Sequence, residues 1–196
     1  MSAGSLAMDI LILNGSIHGE AGNCGLLIRQ LKRNHKGIRF QTVNLVKTSF
    51  GPGLAKKIAQ ADAVLCMTGT YWDSWGSPLQ KFLEDATDLE ARPEILGKPL
   101  GVCVLMHSVG GKAVLSRLQG VFSTMGFLIP PMTGMAYSLA GELALKSKNV
   151  HAKDFWCLDD LNVVVENLKL ASSVKTPWVT WPVDRKNFRK KWVAKS

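Results

Sequence analysis

The sequence predicts an α/β domain built on a mostly parallel sheet. Five short apolar runs, each typical of a strand buried on both faces, alternate with segments whose apolar residues recur at helical spacing. This alternation is typical of parallel sheets, because a helical crossover returns the chain to the same end of the sheet. The 196 residues are enough for one such domain with a full core.

The individual elements follow in chain order. Strands are predicted at residues 9–13, 39–45, 63–67 and 100–106, and a fifth is expected to begin at residues 127–129. Apolar positions at helical spacing predict helices over residues 24–31, 54–60, 79–86, 114–125 and 161–168. Ser77 is expected to cap the third helix, with Pro78 at its first position, and Gly126 to end the fourth.

Three loops stand out because each follows a predicted strand and is rich in glycine, polar or aromatic residues. They cover residues 14–22, 68–76 and 107–111 and follow strands one, three and four. In a sheet of order 2-1-3-4-5 these strands are neighbours, with the switch point between strands one and three. Ligands of such sheets bind beyond the carboxyl ends of the strands.

The first loop reads NGSIHGEAGN and opens directly into a helix. Backbone N–H groups at a helix N-terminus favour a phosphate, and Ser16, Asn23 and His18 can add side-chain hydrogen bonds. The loop matches neither the GxxxxGK[ST] nor the GxGxxG pattern. A plain strand-to-helix turn is the alternative interpretation.

The second and third loops suit a flat ligand. Tyr71, Trp72 and Trp75 in TGTYWDSWGSP supply apolar walls with a polar rim, although packing in the core or in a dimer is the alternative. Gly110 and Gly111 in HSVGGK let the backbone approach a ligand, so that N–H groups can donate to an electron-rich ring edge. An ordinary glycine turn is the alternative there.

Four segments resemble the flavodoxin-like NADPH-dependent FMN reductase and quinone reductase family in their order and spacing. They are GSIHGEAGN, TYWDSWGSPLQKFLED, ILGKP and HSVGGKAVLSRLQGVFSTMGF. The resemblance covers residues 8–173. It implies a flavodoxin-like three-layer fold, bound FMN, NAD(P)H as co-substrate and a homodimer or tetramer. It also implies hydride transfer from nicotinamide to flavin, and onward transfer to a quinone, an azo or nitro compound, a flavin or a metal ion.

The resemblance also implies which residues hold the cofactor. Around the FMN phosphate it places Ser16, His18, Gly22, Asn23 and Cys24. Along the ribityl chain and the isoalloxazine it places Thr70, Tyr71, Trp72, Ser74 and Trp75. At the other ring edge it places Ser108, Val109, Gly110 and Gly111.

Four positions depart from the family pattern. Gly69 stands where proline is common, which loosens the second loop. His18 stands where arginine is frequent, and Cys24 stands where serine or threonine is frequent, which weakens the phosphate contacts. Asp73 stands where glycine is common. A carboxylate near the flavin disfavours its anionic reduced form, so we expect a lowered reduction potential.

Residues 174–196 form a predicted basic extension beyond the domain of residues 8–173. Seven lysines and arginines against one aspartate place six of the nine net positive charges there, together with three of the six tryptophans. Basic and aromatic residues together can bind nucleic acid or an anionic membrane surface. We favour an arm packed on its own or a partner subunit, and consider nucleic-acid binding unlikely.

Composition bears on the location of the protein, on metal binding and on the kind of function. The sequence contains no run of 18 apolar residues, so no membrane-spanning helix is predicted. The N-terminus lacks a cationic region leading into an apolar one, so we do not expect secretion. Four well-separated cysteines and four scattered histidines give no metal spacing, so we expect reduced thiols, a cytoplasmic location and no metal or catalytic side-chain set. Two alternative functions stay open: a flavodoxin-type electron carrier, which the basic charge disfavours, and a binding protein of this fold without redox activity.

Overall fold

The computed structural model describes residues 8–147 and 155–186. Its strands are β1 (Asp9–Asn14), β2 (Arg39–Asn44), β3 (Ala63–Gly69), β4 (Leu100–Met106) and β5 (Gly134–Ser138). They form one parallel sheet in the order β2-β1-β3-β4-β5. The predicted fold class and strand order are therefore confirmed.

Helices cover both faces of the sheet and make three layers. They are α1 (Asn23–Asn34), α2 (Pro52–Gln60), α3 (Ser77–Asp85), α4 (Gly111–Met125), α5 (Leu139–Lys146) and α6 (Asp160–Ser172). The apolar faces of α2, α3 and α4 share one core cluster, and those of α1 and α6 share the other. This is the flavodoxin-like arrangement.

Strand β1 illustrates why its sequence is continuously apolar. Ile10 and Ile12 point into the α1 and α6 layer, whereas Leu11 and Leu13 point into the opposite layer. All four side chains are at most 1% exposed. Because side chains alternate between the faces of a strand, burial on both faces leaves no polar position in the run.

The predicted start of the fifth strand is wrong. Within residues 127–129 only Leu128 pairs, in an isolated bridge with Pro99, and β5 itself begins at Gly134. The two prolines at positions 130 and 131 lack the N–H that a ladder needs, and the detour carries Met132 into a left-handed conformation with φ 56°. Gly126 ends α4 in the left-handed conformation that the sequence predicts, with φ 116°.

Two helix ends also differ from expectation. Helix α3 begins at Ser77 itself, and Gly76 is its uncapped N-cap residue, so the predicted serine cap is wrong. The Gly76 N–H, which precedes the helix, donates to the Thr68 Oγ1 at 3.1 Å. Helix α5 was not predicted from the sequence. Its apolar residues Leu139 and Leu143 are exposed, so the helix lacks the core-facing apolar stripe on which the other helix predictions rest.

The described part of the basic arm, residues 174–186, lies against its own chain at the amino edge of the sheet. The Trp178 indole occupies the space beside Gly97 that a side chain there would need. The Trp181 Nε1 donates to Glu90 Oε1 at 2.8 Å, and Arg185 Nη2 donates to the Glu90 carbonyl oxygen at 2.7 Å. A cavity of about 330 Å³ lies between the arm and the end of α4. Residues 187–196, which complete the predicted extension, lie outside the described residues.

Over residues 8–147 and 155–186, no helix combines the length and the apolar character needed to cross a membrane. The predicted homodimer or tetramer stays a prediction.

Two helical glycines provide a test of the packing at the start of α1. An alanine Cβ at Gly25 would overlap the Glu20 carbonyl group, whereas one at Gly120 in α4 would meet nothing within 4 Å. We expect Gly25→Ala to lower the free energy of unfolding by about 1–3 kcal/mol through overpacking. Gly120→Ala should raise it by about 0.5–1 kcal/mol through helix propensity. Urea denaturation measures both, and shifts in the same direction would contradict the packing described here.

Candidate functional site

Three loops meet at the carboxyl edge of β1, β3 and β4. The Gly15 N–H donates to the Met67 carbonyl oxygen at 2.8 Å, and the Thr70 N–H donates to the Leu105 carbonyl oxygen at 2.8 Å. The first two loops also touch directly, because a Cβ on Gly76 would lie 2.5 Å from the Gly15 carbonyl oxygen. The predicted site segments are therefore neighbours in space.

The first loop forms a polar cradle in front of α1. Ser16 is buried, its N–H donates to Asn14 Oδ1 at 3.2 Å, and its hydroxyl accepts the His18 N–H at 3.3 Å. The backbone of Gly22 lies against both side chains, since a Cβ there would be 2.8 Å from His18 Cβ and 3.4 Å from Ser16 Oγ. This brings the predicted residues Ser16, His18, Gly22 and Asn23 together.

The N-cap residue of α1 is Gly22, and no side chain of the described residues donates or accepts a capping hydrogen bond there. The first N–H groups of an α-helix have no partner within the helix and carry the positive end of its dipole. The first turn of α1 therefore offers backbone donors to an anion, and the exposed side chains of His18 and Asn23 lie at the same end.

Cys24 is one of the residues predicted to surround a phosphate, and its side chain is buried. Burial raises the pKa of the thiol to about 12, so it stays neutral. Because a neutral thiol is a weak donor, the backbone N–H of Cys24 is the stronger donor toward an anion. Burial likewise raises the pKa values of the Cys66 and Cys103 thiols in the neighbouring strands.

The second loop contains a tight turn at Tyr71–Ser74. The Tyr71 N–H donates to the Ser74 carbonyl oxygen at 2.8 Å, and the Ser74 N–H donates back at 3.0 Å. The two residues at the tip, Trp72 and Asp73, have left-handed φ values of 48° and 55°. The Tyr71 ring folds back, and its hydroxyl lies 3.1 Å from where a Cβ on Gly69 would be.

Thr70 carries an unusual polar atom at the start of this loop. Its Oγ1 is buried and has no hydrogen-bond partner among the described residues. Its Cγ2 lies 3.4 Å from the Cβ position of Gly110, so the side chain sits between the second and third loops. A buried hydroxyl without a partner costs free energy, and it is a donor and acceptor available to a ligand.

Trp75 has contacts in the groove between α3 and α4. Its Nε1 donates to Gln80 Oε1 at 2.9 Å, and the Arg117 guanidinium lies 5.0 Å from the centre of its ring. The predicted role of Trp75 as a wall of the ligand site is therefore not supported by its contacts.

Arg117, on α4, was missed by the sequence analysis. Besides stacking on Trp75, it donates from Nη2 to the Asp73 carbonyl oxygen at 2.6 Å. No spacing rule links these two residues, which are 44 positions apart. The contact depends on the sheet placing β3 beside β4.

The third loop is exposed at His107, Ser108 and Val109. Gly110 is the left-handed N-cap residue of α4, with φ 85°, and the Asp73 carboxylate occupies the space that a Cβ there would need. Gly111 is buried, and its N–H donates to the Met106 sulfur at 3.1 Å. Its donor role toward a ring edge stays a prediction.

The arrangement combines an anion-binding helix terminus at one end with a polar and aromatic rim at the other. In residues 8–147 and 155–186, no group of three His, Cys, Asp or Glu side chains comes together where it could hold a metal ion. The edge is therefore suited to binding an elongated ligand with an anionic end and a flat end.

Comparisons with known proteins identify a family that the chain matches. The profile of a family described as NADPH-dependent FMN reductase matches residues 8–140. No curated protein sequence is significantly similar to the chain.

Three solved structures share the fold. RosB with bound 8-demethyl-8-formylriboflavin-5′-phosphate is 15% identical, with a TM-score of 0.66, and the alignment covers 96% of this chain and 97% of RosB. The flavoenzyme NAD(P)H:(acceptor) oxidoreductase FerB from Paracoccus denitrificans is 18% identical, with a TM-score of 0.59 and coverages of 84% and 98%. General stress protein 14 from Treponema denticola, in complex with FMN, is 11% identical, with a TM-score of 0.55 and coverages of 84% and 99%.

The buried thiols give a test of the first loop. We expect a Cys157→Ser variant to react slowly with 5,5′-dithiobis(2-nitrobenzoate) at pH 8, because the other three thiols are buried and their raised pKa values keep them protonated. After unfolding in guanidinium, the same variant should release three equivalents. Rapid labelling of Cys24 in the folded variant, identified by peptide mapping, would show that its side chain faces the loop instead.

Proposed function

Because the chain belongs to the NADPH-dependent FMN reductase family, we propose that it is an FMN-dependent oxidoreductase that takes a hydride from NAD(P)H and passes electrons to a small-molecule acceptor. The observation that carries the proposal is the meeting of an uncapped helix terminus and an unpartnered buried hydroxyl at one edge of the sheet. These features suit the phosphate and the polar chain of FMN.

The first loop would hold the phosphate. Backbone N–H groups of Asn23 and Cys24 would donate to it, and the positive end of α1 would favour its charge. The Ser16 hydroxyl, already oriented by the His18 N–H, lies at the same place. The His18 side chain would add a donor and, when protonated, a positive charge.

The second and third loops would hold the rest of the cofactor. The Thr70 hydroxyl would gain its missing partner from the ribityl chain or the ring edge. Tyr71, Trp72 and Ser74 would border the ring on one side, with the backbone of Ser108, Val109 and Gly110 on the other.

When bound, FMN supplies the redox chemistry, accepting a hydride and giving up its electrons to a second molecule. No protein nucleophile is then needed. The role of this chain is to bind the cofactor, orient its ring and leave room for NAD(P)H and the acceptor.

Cofactor binding and reduction can be followed in the visible absorption spectrum. Purified protein, supplied with FMN where needed, should show flavin absorption bands that bleach on anaerobic addition of NADPH. Bands that persist with NADPH but respond to a redox protein would indicate the flavodoxin-type carrier. Failure to bind FMN in excess would leave only a binding protein of this fold.

Two buried threonines provide a matched test of the site. Thr70 and Thr42 both carry a buried Oγ1 without a partner, but Thr42 lies in the middle of β2. We expect Thr70→Val to weaken FMN binding by about tenfold, because a hydrogen bond to the cofactor is lost. Thr42→Val should leave the FMN dissociation constant unchanged. Equal effects in a fluorescence titration would count against this assignment of Thr70.

Asp73 should influence the flavin potential. Its carboxylate lies against Gly110 in the third loop, so it would place negative charge close to the flavin ring. We expect Asp73→Asn to raise the midpoint potential, because the anionic reduced flavin then meets less repulsion. Glu166→Gln on α6 removes a remote charge and serves as the control. A potential unchanged by Asp73→Asn in a redox titration would remove this role.

A further inference from the structure

The described part of the basic arm packs on its own chain through one side only. The Trp178 indole is held against Gly97, and the Trp181 Nε1 is held on Glu90 Oε1 at 2.8 Å. About half of each ring nevertheless stays exposed, 47% for Trp178 and 57% for Trp181. Large apolar groups that are clustered and open to solvent mark interaction surfaces, and here the protein fixes both rings in advance.

Aliphatic side chains enlarge this apolar surface. Val179 stands between the two tryptophans in the sequence and is 93% exposed, and Val174, at the start of the arm, is 51% exposed. Pro177 directly precedes the first tryptophan, and Pro182 directly follows the second. Because proline fixes its own φ, the segment has less freedom to lose when it binds.

An apolar recess opens beside the two indoles. It is the cavity of about 330 Å³ between the arm and the end of α4. Apolar side chains make most of its lining, namely Leu96, Phe127, Leu128, Ile129, Trp178 and Trp181. No charged side chain of the described residues lines it. The recess therefore suits a hydrocarbon chain better than a phosphate or a sugar.

The same arm carries most of the positive charge of the chain. Its seven lysines and arginines against one aspartate give six net positive charges over residues 174–196. Lys175, Arg185 and Lys186 belong to the described part, and Phe188 and Trp192 stand among the remaining cations in the sequence. Exposed tryptophan and aliphatic groups interleaved with cations are the combination that binds the boundary between the headgroups and acyl chains of an anionic membrane.

We infer that the basic arm is a docking surface for an anionic lipid bilayer. Trp178, Val179 and Trp181 would enter the headgroup boundary, and the cations of the arm would meet the lipid phosphates. This inference goes beyond the proposed function and does not depend on it. Because the arm lies at the amino edge of the sheet, the candidate site at the carboxyl edge would face away from the bilayer.

A second copy of the chain fits this surface less well. A symmetric dimer places the same patch of both subunits face to face. Two arms with six net positive charges each would then repel one another. An anionic bilayer is complementary in charge to the arm, whereas another arm is not.

Nucleic acid would use the cations of the arm but little of its apolar surface. Stacking on a base needs an open ring face, and each indole is half-covered by its own chain. The exposed Val179 side chain and the apolar recess have no counterpart on a sugar–phosphate backbone. The bilayer is the partner that uses both the charge and the apolar groups.

The test is co-sedimentation of the full-length protein with vesicles. We expect binding to vesicles of equal parts phosphatidylglycerol and phosphatidylcholine, and binding about tenfold weaker or less to phosphatidylcholine alone. Val179→Asp should weaken binding to the anionic vesicles about tenfold, because it removes an apolar group and adds a carboxylate at the headgroups. Val179 takes part in neither fixed contact of the arm, so the variant should fold normally. Leu26→Asp, at a side chain of α1 that is 56% exposed, is the matched control and should bind as the wild type does.

Charge reversal tests the electrostatic part. Lys175→Glu combined with Lys186→Glu should lower the affinity for anionic vesicles about tenfold or more. Lys32→Glu combined with Arg33→Glu changes the net charge equally at two exposed positions of α1 and should leave the affinity nearly unchanged.

A fluorescent label reports whether the arm itself enters the bilayer. Cys157→Ser combined with Val179→Cys leaves three buried thiols and one exposed thiol, which can carry a nitrobenzoxadiazole group. Its emission should shift to shorter wavelength on addition of anionic vesicles. The same label on Leu26→Cys, also combined with Cys157→Ser, should not shift.

Each contrary outcome assigns the arm differently. Equal vesicle binding by Val179→Asp and Leu26→Asp, or no emission shift at position 179, would overturn the inference. Tighter binding to a single-stranded oligonucleotide than to vesicles would assign the arm to nucleic acid. A lower mass of Val179→Asp in solution would assign it to a second copy of the chain. FMN binding and reduction by NADPH are measured without vesicles, so the proposed function stands or fails separately.

Discussion

The backbone contact between Gly15 and Gly76 is the constraint on which the candidate site depends. A Cβ on Gly76 would lie 2.5 Å from the Gly15 carbonyl oxygen, and one on Gly15 would lie 2.6 Å from Leu79 Cβ. Only residues without side chains let the first loop, the second loop and α3 approach this closely. The contact fixes how closely the first loop, the aromatic turn and α3 approach one another at this edge of the sheet.

Local sequence patterns were sufficient for most of the fold, because burial on both faces leaves a strong signal. The apolar runs of β1, β3 and β4 and the left-handed Gly126 follow from it directly. The errors in predicting β5 and the start of α3 occur where a local sequence pattern is overridden by neighbouring residues. Prolines displace β5 from the apolar residues 127–129 to 134–138, and α3 begins at Ser77 itself, with Gly76 in place of a serine at its N-cap.

The sequence predicted which loops meet at the candidate site, but it did not predict which way their side chains point. Loops that follow neighbouring parallel strands must share an edge, so the polar cradle at Ser16 and the turn at Tyr71–Ser74 were expected together. Whether Trp75 faces that edge depends on α4, since Arg117 and Gln80 together hold its indole in the α3 and α4 groove. The thiol of Cys24 points inward for a similar reason, as one side of α1 is committed to the core.

The positive charge of the chain is concentrated in the C-terminal arm and not at the candidate site. Most of the net positive charge belongs to residues 174–196, and the described part of that arm lies at the amino edge of the sheet, against Glu90 and Gly97. At the opposite edge, the first loop has a neutral thiol and a histidine where the family often has stronger phosphate ligands. Attraction for an anion there depends mainly on backbone N–H groups and the dipole of α1. The high pI therefore says little about the candidate site, whose electrostatics are set by one helix terminus and by the carboxylate of Asp73.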